Sequence, residues 1–277
     1  MRMTAAWDRI IYSVQNIRVH HRVRPGDGVP LLLIHGIGPG TDCEANFGSL
    51  LSAMPADWPV HMIDLIGFGG SDRKPSQPGF DVPLWLDQIG QALDRINRPA
   101  LLIGNSVGGA LALKTAARGL ALHGVVAIGA PAAAMELTDA LRAFWSPPTS
   151  AEGLAAAMRP MTAAQLLPDQ SLVAARWARF NGDYARWYGE TLSRPQACLD
   201  AVALSSQEAA RITVPLRLLH GQLDRACPPG PLARLVLEHL SRADLTLLGD
   251  CGHNVISERA SIVLDVIEKF REKGSTL

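Results

Sequence analysis

The sequence predicts an α/β protein, a mostly parallel sheet flanked by helices with a helical layer inserted into it. Three observations carry this. Short apolar runs alternate with longer helix-compatible stretches, as in strands joined by crossover helices. The 277 residues are 48% hydrophobic and 19% charged, enough apolar material for one large core. Between residues 132 and 211 the alternation stops, leaving a stretch with no strand pattern.

Residues 17–23 (IRVHHRV) read as an early strand, closed by the turn sequence Pro-Gly-Asp-Gly. Buried strands are expected at residues 31–34 (LLLI), 60–65, 100–103 and 125–128, and residues 214–219 and 245–248 complete the set. Helical patterns lie between them, notably at residues 107–118, 231–240 and 258–273. The stretch from 132 to 211 is rich in Ala, Leu, Arg and Trp and is punctuated by Pro147, Pro148, Pro160, Pro168 and Pro195, which predicts several short helices. Seven of the fifteen aromatic residues fall there: Phe144, Trp145, Trp177, Phe180, Tyr184, Trp187 and Tyr188. Rings of that size need a partner surface, and a thin helical layer has little core of its own. The expected division is a core domain of residues 1–131 and 212–277, with residues 132–211 packed over it as a lid and a pocket between the two.

The net charge is zero, from 26 basic and 26 acidic residues, which argues against an electrostatic grip on nucleic acid or an anionic membrane. The four cysteines, Cys43, Cys198, Cys227 and Cys251, are scattered without metal-like spacing and suit a reducing compartment. The first residues carry no apolar run fit for a signal peptide, and charges interrupt every longer apolar stretch, so a soluble cytoplasmic protein is expected. The Gly36–Gly38 pair lacks the rest of a dinucleotide fingerprint, and there is no P-loop or metal cluster, so no cofactor is expected.

The chemistry is concentrated in Gly104-Asn105-Ser106-Val107-Gly108-Gly109, which follows the apolar run ALLI and precedes a helix-compatible stretch. This is G-x-S-x-G in the context of strand, sharp turn and helix, where flanking glycines avoid clashes and the serine hydroxyl is thrust outward. Ser106 is the predicted nucleophile. A hydroxyl needs a base, and of the eight histidines His253 is favoured, in a Gly-flanked loop after the last strand. His239 reads as a surface residue, His20, His21, His61 and His123 belong to strands, and His220 and His35 read as structural. The acid that orients the base is expected after the penultimate strand, where LRLLHGQLD supplies Asp224. Glu136 already lies in the insert, and Asp250 is expected to shape its loop. Two backbone donors for an oxyanion are expected at Val107 and Ile37, the latter in the loop His35-Gly36-Ile37-Gly38-Pro39-Gly40, where glycines let the backbone approach a ligand. The segment DLIGFGGSD from Asp64 to Asp72 reads as a structural crossover loop.

With these residues in place the chain resembles the α/β-hydrolase superfamily over nearly its whole length, and within it the meta-cleavage-product hydrolases, which break carbon–carbon bonds in 2-hydroxy-6-oxohexa-2,4-dienoates. The shared features are His35-Gly36-Ile37-Gly38-Pro39-Gly40 followed by Asn46-Phe47, Gly104-Asn105-Ser106-Val107-Gly108-Gly109, Arg194-Pro195 in the insert, and Asp250-Cys251-Gly252-His253. The resemblance implies an eight-stranded sheet with the helical lid after the sixth strand. It also implies that Asn46, Asn105 and Arg194, with Gly36 and Gly38 nearby, hold a substrate carboxylate, a pairing that suits guanidinium. By analogy it further implies a homodimer or larger homo-oligomer. The chain departs from that family at Asn254, where those enzymes carry Trp directly after the catalytic histidine; an aromatic wall is replaced by an amide that faces the substrate. Two other functions fit the same residues less fully. A carboxylesterase would use the same triad without needing a carboxylate clamp, and a non-catalytic receptor would not need to keep the triad intact.

Overall fold

The computed structural model describes residues 7–164, 168–180 and 182–272. One sheet of eight strands runs in the order β1-β2-β4-β3-β5-β6-β7-β8. Its members are β1 (Asp8–Val14), β2 (Ile17–Arg24), β3 (Leu31–Ile34), β4 (Val60–Ile63), β5 (Ala100–Asn105), β6 (Leu122–Ile128), β7 (Leu216–Gly221) and β8 (Ala243–Leu248). Only the β1–β2 and β2–β4 pairs are antiparallel; the others are parallel. Strands β3 and β5 are buried along their whole length, as strands covered on both faces must be.

Alternation along these strands divides the apolar side chains between the two faces. Leu32, Ile34 and Leu102 join the core formed with α2 (Val82–Ile96), α3 (Val107–Ala117) and the insert. Leu31, Leu33, Leu101 and Ile103 pack on the other side with α1 (Cys43–Ala53) and α12 (Ala260–Glu272). Asp42 caps α1 and Asp81 caps α2, each side chain accepting a backbone N–H of the first turn.

Between β6 and β7 the described residues form six α-helices, α4 (Asp139–Trp145), α5 (Ala151–Met158), α6 (Gln170–Arg179), α7 (Gly182–Thr191), α8 (Pro195–Val202) and α9 (Ser206–Ala210), with a 3-10 turn at Arg159–Met161 after α5. Thr138, Ser150, Asp169 and Ser205 cap four of them, so these short segments start at side chains suited to it. Their aromatic residues reach the sheet layer: Trp145 lies 6.3 Å from Phe80 and Trp187 lies 5.8 Å from Phe68, ring centre to ring centre. Between β7 and β8 lies α10 (Pro229–His239), and a short α11 (Val255–Glu258) precedes α12.

The structure departs from the sequence reading at several edges. β1 adds a strand that the pattern DRIIYSV does not announce, because its side chains are mostly exposed and carry no alternation. β4 stops at Ile63, leaving Asp64 to the loop, and β7 starts at Leu216 because Pro215 has no N–H for the ladder. The helix expected over 258–273 begins at Ala260. Its expected end at Lys273, like the first six residues read for a leader, lies outside the described residues. No helix among the described residues is long and apolar enough to cross a membrane.

Candidate active site

Ser106 occupies the turn between β5 and α3 with φ 54° and ψ −123°. Such a positive φ is costly outside glycine and persists only where neighbours enforce it. Here the Ser106 N–H donates to the Ile128 carbonyl at 2.7 Å, while its carbonyl accepts the Gly109 and Ala110 N–H groups at 2.8 and 3.1 Å. A methyl group on Gly104 would run into the Gly108 carbonyl, and one on Gly108 into the Ile34 carbonyl, so the turn closes only with glycine at both positions.

Asp224 follows the C-terminal end of β7 and His253 follows β8, so both arrive on the edge of the sheet where Ser106 stands. His253 Nδ1 lies 2.8 Å from Asp224 Oδ2, and His253 Nε2 lies 3.0 Å from Ser106 Oγ. Asp224 as a carboxylate can only accept, so Nδ1 carries the proton and Nε2 is free to accept from the serine hydroxyl. The three residues are 5–8% exposed. Asp224 Oδ1 accepts the N–H groups of Ala226 and Cys227 at 2.9 and 2.8 Å, which fixes the carboxylate plane. His220 Nε2 lies 3.2 Å from Asp224 Oδ2 and 2.6 Å from the Cys227 carbonyl oxygen, making it a second brace that sequence reasoning took for general packing. Burial alone would raise the Asp224 carboxyl, but the charge of His253 and hydrogen bonds from His220 and His253 hold it well below the usual carboxylate range. Burial disfavours the His253 imidazolium, yet the adjacent Asp224 carboxylate prevails and raises its proton affinity well above the ordinary histidine value.

The loop from His35 to Gly40 passes directly over the serine: a methyl on Gly36 would lie 2.9 Å from Ser106 Cβ. His35 braces it from below, with Nδ1 2.7 Å from the Gly36 carbonyl and Nε2 accepting the Leu65 N–H at 2.9 Å. Among the described residues, neither the Ile37 N–H nor the Val107 N–H at the start of α3 is taken by another group. Asp64 secures the neighbouring crossover loop, accepting the Cys43 and Gly70 N–H groups at 2.9 Å each. Asp250 adopts a left-handed φ of 48° and its carbonyl accepts from Arg259 at 2.6 Å, a loop-shaping role.

A cavity of about 320 Å³ opens beside this group, lined by Asn46, Asn105, Arg176 and Asn254 together with Met158 and Leu172. Asn46 Oδ1 accepts the Gly36 N–H at 3.1 Å and the Asn105 amide at 2.7 Å, so Asn46 also holds the loop. Asn105 Oδ1 is buried without a partner. Arg194, expected here, is instead exposed at the N-cap of α8 and is not among the lining residues. The cation that reaches the cavity is Arg176 of α6, only 6% exposed. Its Nε donates to the Pro39 carbonyl at 2.9 Å and its Nη2 is buried with no partner. Burial lowers its pKa to about 10, which leaves it charged at neutral pH. The nearby carboxylate of Asp42 is engaged by Arg179 at 2.9 Å. Gly38 touches this arginine, since a methyl there would come within 2.6 Å of Arg176 Nη2. Its sequence signal was only an arginine in a helix that also carries Arg179, and burial separates the two.

The comparisons with known proteins agree with this geometry. The sequence model of the alpha/beta hydrolase family matches residues 31–266. The chain is 29% identical over 249 residues to a 2-hydroxy-6-oxo-2,4-heptadienoate hydrolase of Pseudomonas putida, covering 88% of this chain and 90% of that protein. It is 28% identical over 251 residues to a 2-hydroxymuconate semialdehyde hydrolase of Pseudomonas sp. strain CF600, covering 88% and 87%. Among solved structures it is similar to a meta-cleavage product hydrolase from Pseudomonas fluorescens IP01 complexed with acetates, with a TM-score of 0.87, 26% identity, and coverage of 95% and 97%. The chain belongs to the alpha/beta hydrolase family.

Proposed function

We propose that this protein hydrolyses a carbon–carbon bond in a 2-hydroxy-6-oxohexa-2,4-dienoate, with Ser106 as nucleophile, His253 as general base and Asp224 as the group that orients it. The observation that carries this choice of substrate over a neutral ester is Arg176, a buried cation with an unpartnered Nη2 in a cavity that Asn46, Asn105 and Asn254 also line, the Glu44 carboxylate of that lining being paired with Arg22. Such a group is costly unless a ligand supplies the counter-charge, and a carboxylate matches a guanidinium in shape and sign. Two relatives are named for dienoate and semialdehyde hydrolysis, which supports the same reading. Arg176 takes the role that the sequence assigned to Arg194, with Asn46, Asn105 and Asn254 around the same carboxylate.

In this mechanism the enol proton of the 2-hydroxyl moves to C5, giving a 2,6-dioxo form in which the C5–C6 bond can break. The Ser106 hydroxyl passes its proton to His253 Nε2 and attacks the C6 carbonyl. The oxyanion is held by the N–H groups of Ile37 and Val107. When the C5–C6 bond breaks, its electron pair is delocalised towards the C2 carbonyl, and the resulting dienolate takes back the proton held on His253 and leaves as a 2-hydroxydienoate, which returns His253 to its neutral form. Water, activated by His253, then releases the acyl group from Ser106 as a carboxylic acid. Residues 132–211 act as a lid that excludes bulk water over a core of residues 1–131 and 212–277. Four buried free thiols suit action on a small soluble anion in the cytoplasm.

The test is direct. Purified protein is mixed with a 2-hydroxy-6-oxodienoate and the decay of its visible absorbance is followed, beside turnover of a neutral aryl acetate. Decay that disappears in Ser106→Ala supports the reading. Turnover of the ester with no decay of the dienoate sinks it in favour of an esterase.

A further inference from the structure

The loop that carries His253 is fastened to the insert on both sides of the histidine. After it, the Asn254 N–H donates to the Met161 carbonyl at 2.9 Å. Before it, the Gly252 N–H donates at 3.0 Å to Oε1 of Glu258, the last residue of α11. The other oxygen of that carboxylate, Oε2, accepts the Ala163 N–H at 2.8 Å, just past the 3-10 turn that follows α5. Loop and insert are in backbone contact here, since a methyl on Gly252 would lie 2.6 Å from the Ala163 nitrogen. The acid's loop meets the same point: Arg225, next in sequence to Asp224, reaches the Ala163 carbonyl at 3.4 Å.

This bridge has a chemical requirement that few side chains meet. Both groups to be joined are N–H donors, so the linker must accept twice and donate nothing. A carboxylate does this, whereas an amide of the same shape offers one acceptor and one donor. Bonds from backbone N–H groups to a charged oxygen are the stronger kind, and Glu258 is half-buried, which limits competition from water. The placement matters because His253 must meet two partners at once, Asp224 Oδ2 at 2.8 Å and Ser106 Oγ at 3.0 Å. A loop displaced by about 1 Å loses that double alignment.

We propose that Glu258 is a positioning residue for the base, locking the turn of residues 161–163 to the loop of His253 so that the docked insert and the aligned imidazole are one state. Glu258 does not line the cavity and acts through His253. The proposal rests on the reading of Ser106, His253 and Asp224 as a working triad, and it holds for either scissile bond.

The experiment uses the full chain carrying Glu258→Gln, beside Ser106→Ala, with a neutral aryl acetate as substrate so that the anion subsite plays no part. The readouts are kcat, KM and the pH midpoint of kcat/KM, taken well below the melting temperature, and the melting temperature itself. Glu258→Gln is expected to lower kcat by roughly 10- to 100-fold with KM little changed, as a misplaced catalytic group does. The midpoint is expected to fall towards the ordinary histidine value of about 6.5, because the imidazole then spends less time against Asp224. A lower melting temperature with kcat and midpoint unchanged overturns the proposal, Glu258 then serving the fold alone. Loss of kcat with an unmoved midpoint overturns it too, since the contact between His253 and Asp224 then survives. Activity that persists in Ser106→Ala overturns the triad, and the positioning role falls with it. Hydrogen exchange in the unaltered protein supplies a measure that needs no variant to fold. There the Gly252 and Ala163 amides are expected to show comparable protection, and an Ala163 amide that exchanges as an unprotected one overturns the bridge.

Discussion

Arg176 Nε donates to the Pro39 carbonyl at 2.9 Å, which ties helix α6 to the glycine-rich loop passing over Ser106. One side chain therefore spans the insert, the oxyanion loop and the cavity. If Nη2 takes a ligand carboxylate as proposed, that contact also fixes the loop that carries the Ile37 N–H.

Replacing Arg176 is accordingly expected to change selectivity more than general competence. For Arg176→Gln the ratio of kcat/KM on an anionic dienoate to that on a neutral aryl ester is expected to fall by about 100-fold, the scale of a lost charge-assisted pair. Arg194→Gln is expected to leave that ratio within a few-fold of the starting protein, because Arg194 is exposed and does not line the cavity. Steady-state kinetics on both substrates decides the matter, and the reverse ranking of the two arginines would return the clamp to Arg194.

Asp224 raises the proton affinity of His253, and this has a sign that can be measured. The base works only when neutral, so kcat/KM is expected to rise with pH through a midpoint above the ordinary histidine value of about 6.5. In Asp224→Asn the carboxylate is gone, so the midpoint is expected to move to lower pH while the plateau rate drops by about 10⁴-fold, as loss of the correct tautomer does in serine hydrolases. A pH–rate profile whose midpoint stays put in the variant would show that another group sets the limb.

The residues that were legible in the sequence are those whose local backbone demands them. Gly104 and Gly108 flank Ser106 because the turn cannot close otherwise, and that requirement is written within six residues. Asp224 and His253 were legible because each follows a strand end, and strand ends meet on one edge of a parallel sheet. Arg176 was not, because its burial depends on how α6 docks, a long-range property that Arg179 three residues later does not share. The His220 brace escaped for the same reason, since only the path of the chain from β7 to Cys227 brings its ring against Asp224. Strand β1 carries no buried stripe, so nothing in its composition marked it.

Gly36 offers a test of the oxyanion loop that leaves every polar group in place. A methyl there would lie 2.9 Å from Ser106 Cβ and 3.1 Å from the Asn105 carbonyl oxygen, closer than such contacts settle. Gly36→Ala is therefore expected to lift the loop away from the serine and lower kcat by roughly 100- to 1,000-fold, the usual loss for one displaced oxyanion donor. The Ser106 hydroxyl and the His253 pair should survive, so labelling by a fluorophosphonate should persist at a reduced rate. A Gly36→Ala enzyme with unchanged kcat would remove the Ile37 N–H from the mechanism.

Far from the site, His21 Nε2 meets His61 Nδ1 at 3.0 Å between β2 and β4, and the pair should govern stability in mild acid. Burial pushes the His21 pKa down to about 3 and the His61 pKa down to about 4, with neighbouring cations adding to both. Above the unfolded value of about 6.5 both rings are neutral in either state and contribute no pH dependence. As pH falls below that value the unfolded chain takes up protons that the fold refuses, so stability declines until the folded values are reached. The slope for the fully buried His21 approaches about 1.4 kcal/mol per pH unit. The paired carboxylates Asp64 and Asp224 are held below their ordinary values and add their losses only at lower pH, which leaves the window from 6.5 to about 4.5 to the histidines. His35, whose pKa burial also lowers, adds a loss of the same sign, whereas His253, whose pKa is raised, adds a gain as pH falls from 7.5. The comparison is therefore made between urea midpoints at pH 6.5 and pH 5, which should differ clearly. In His61→Gln, where an amide oxygen can still accept from His21, the difference should shrink, and equal differences in the two proteins would assign the acid sensitivity elsewhere.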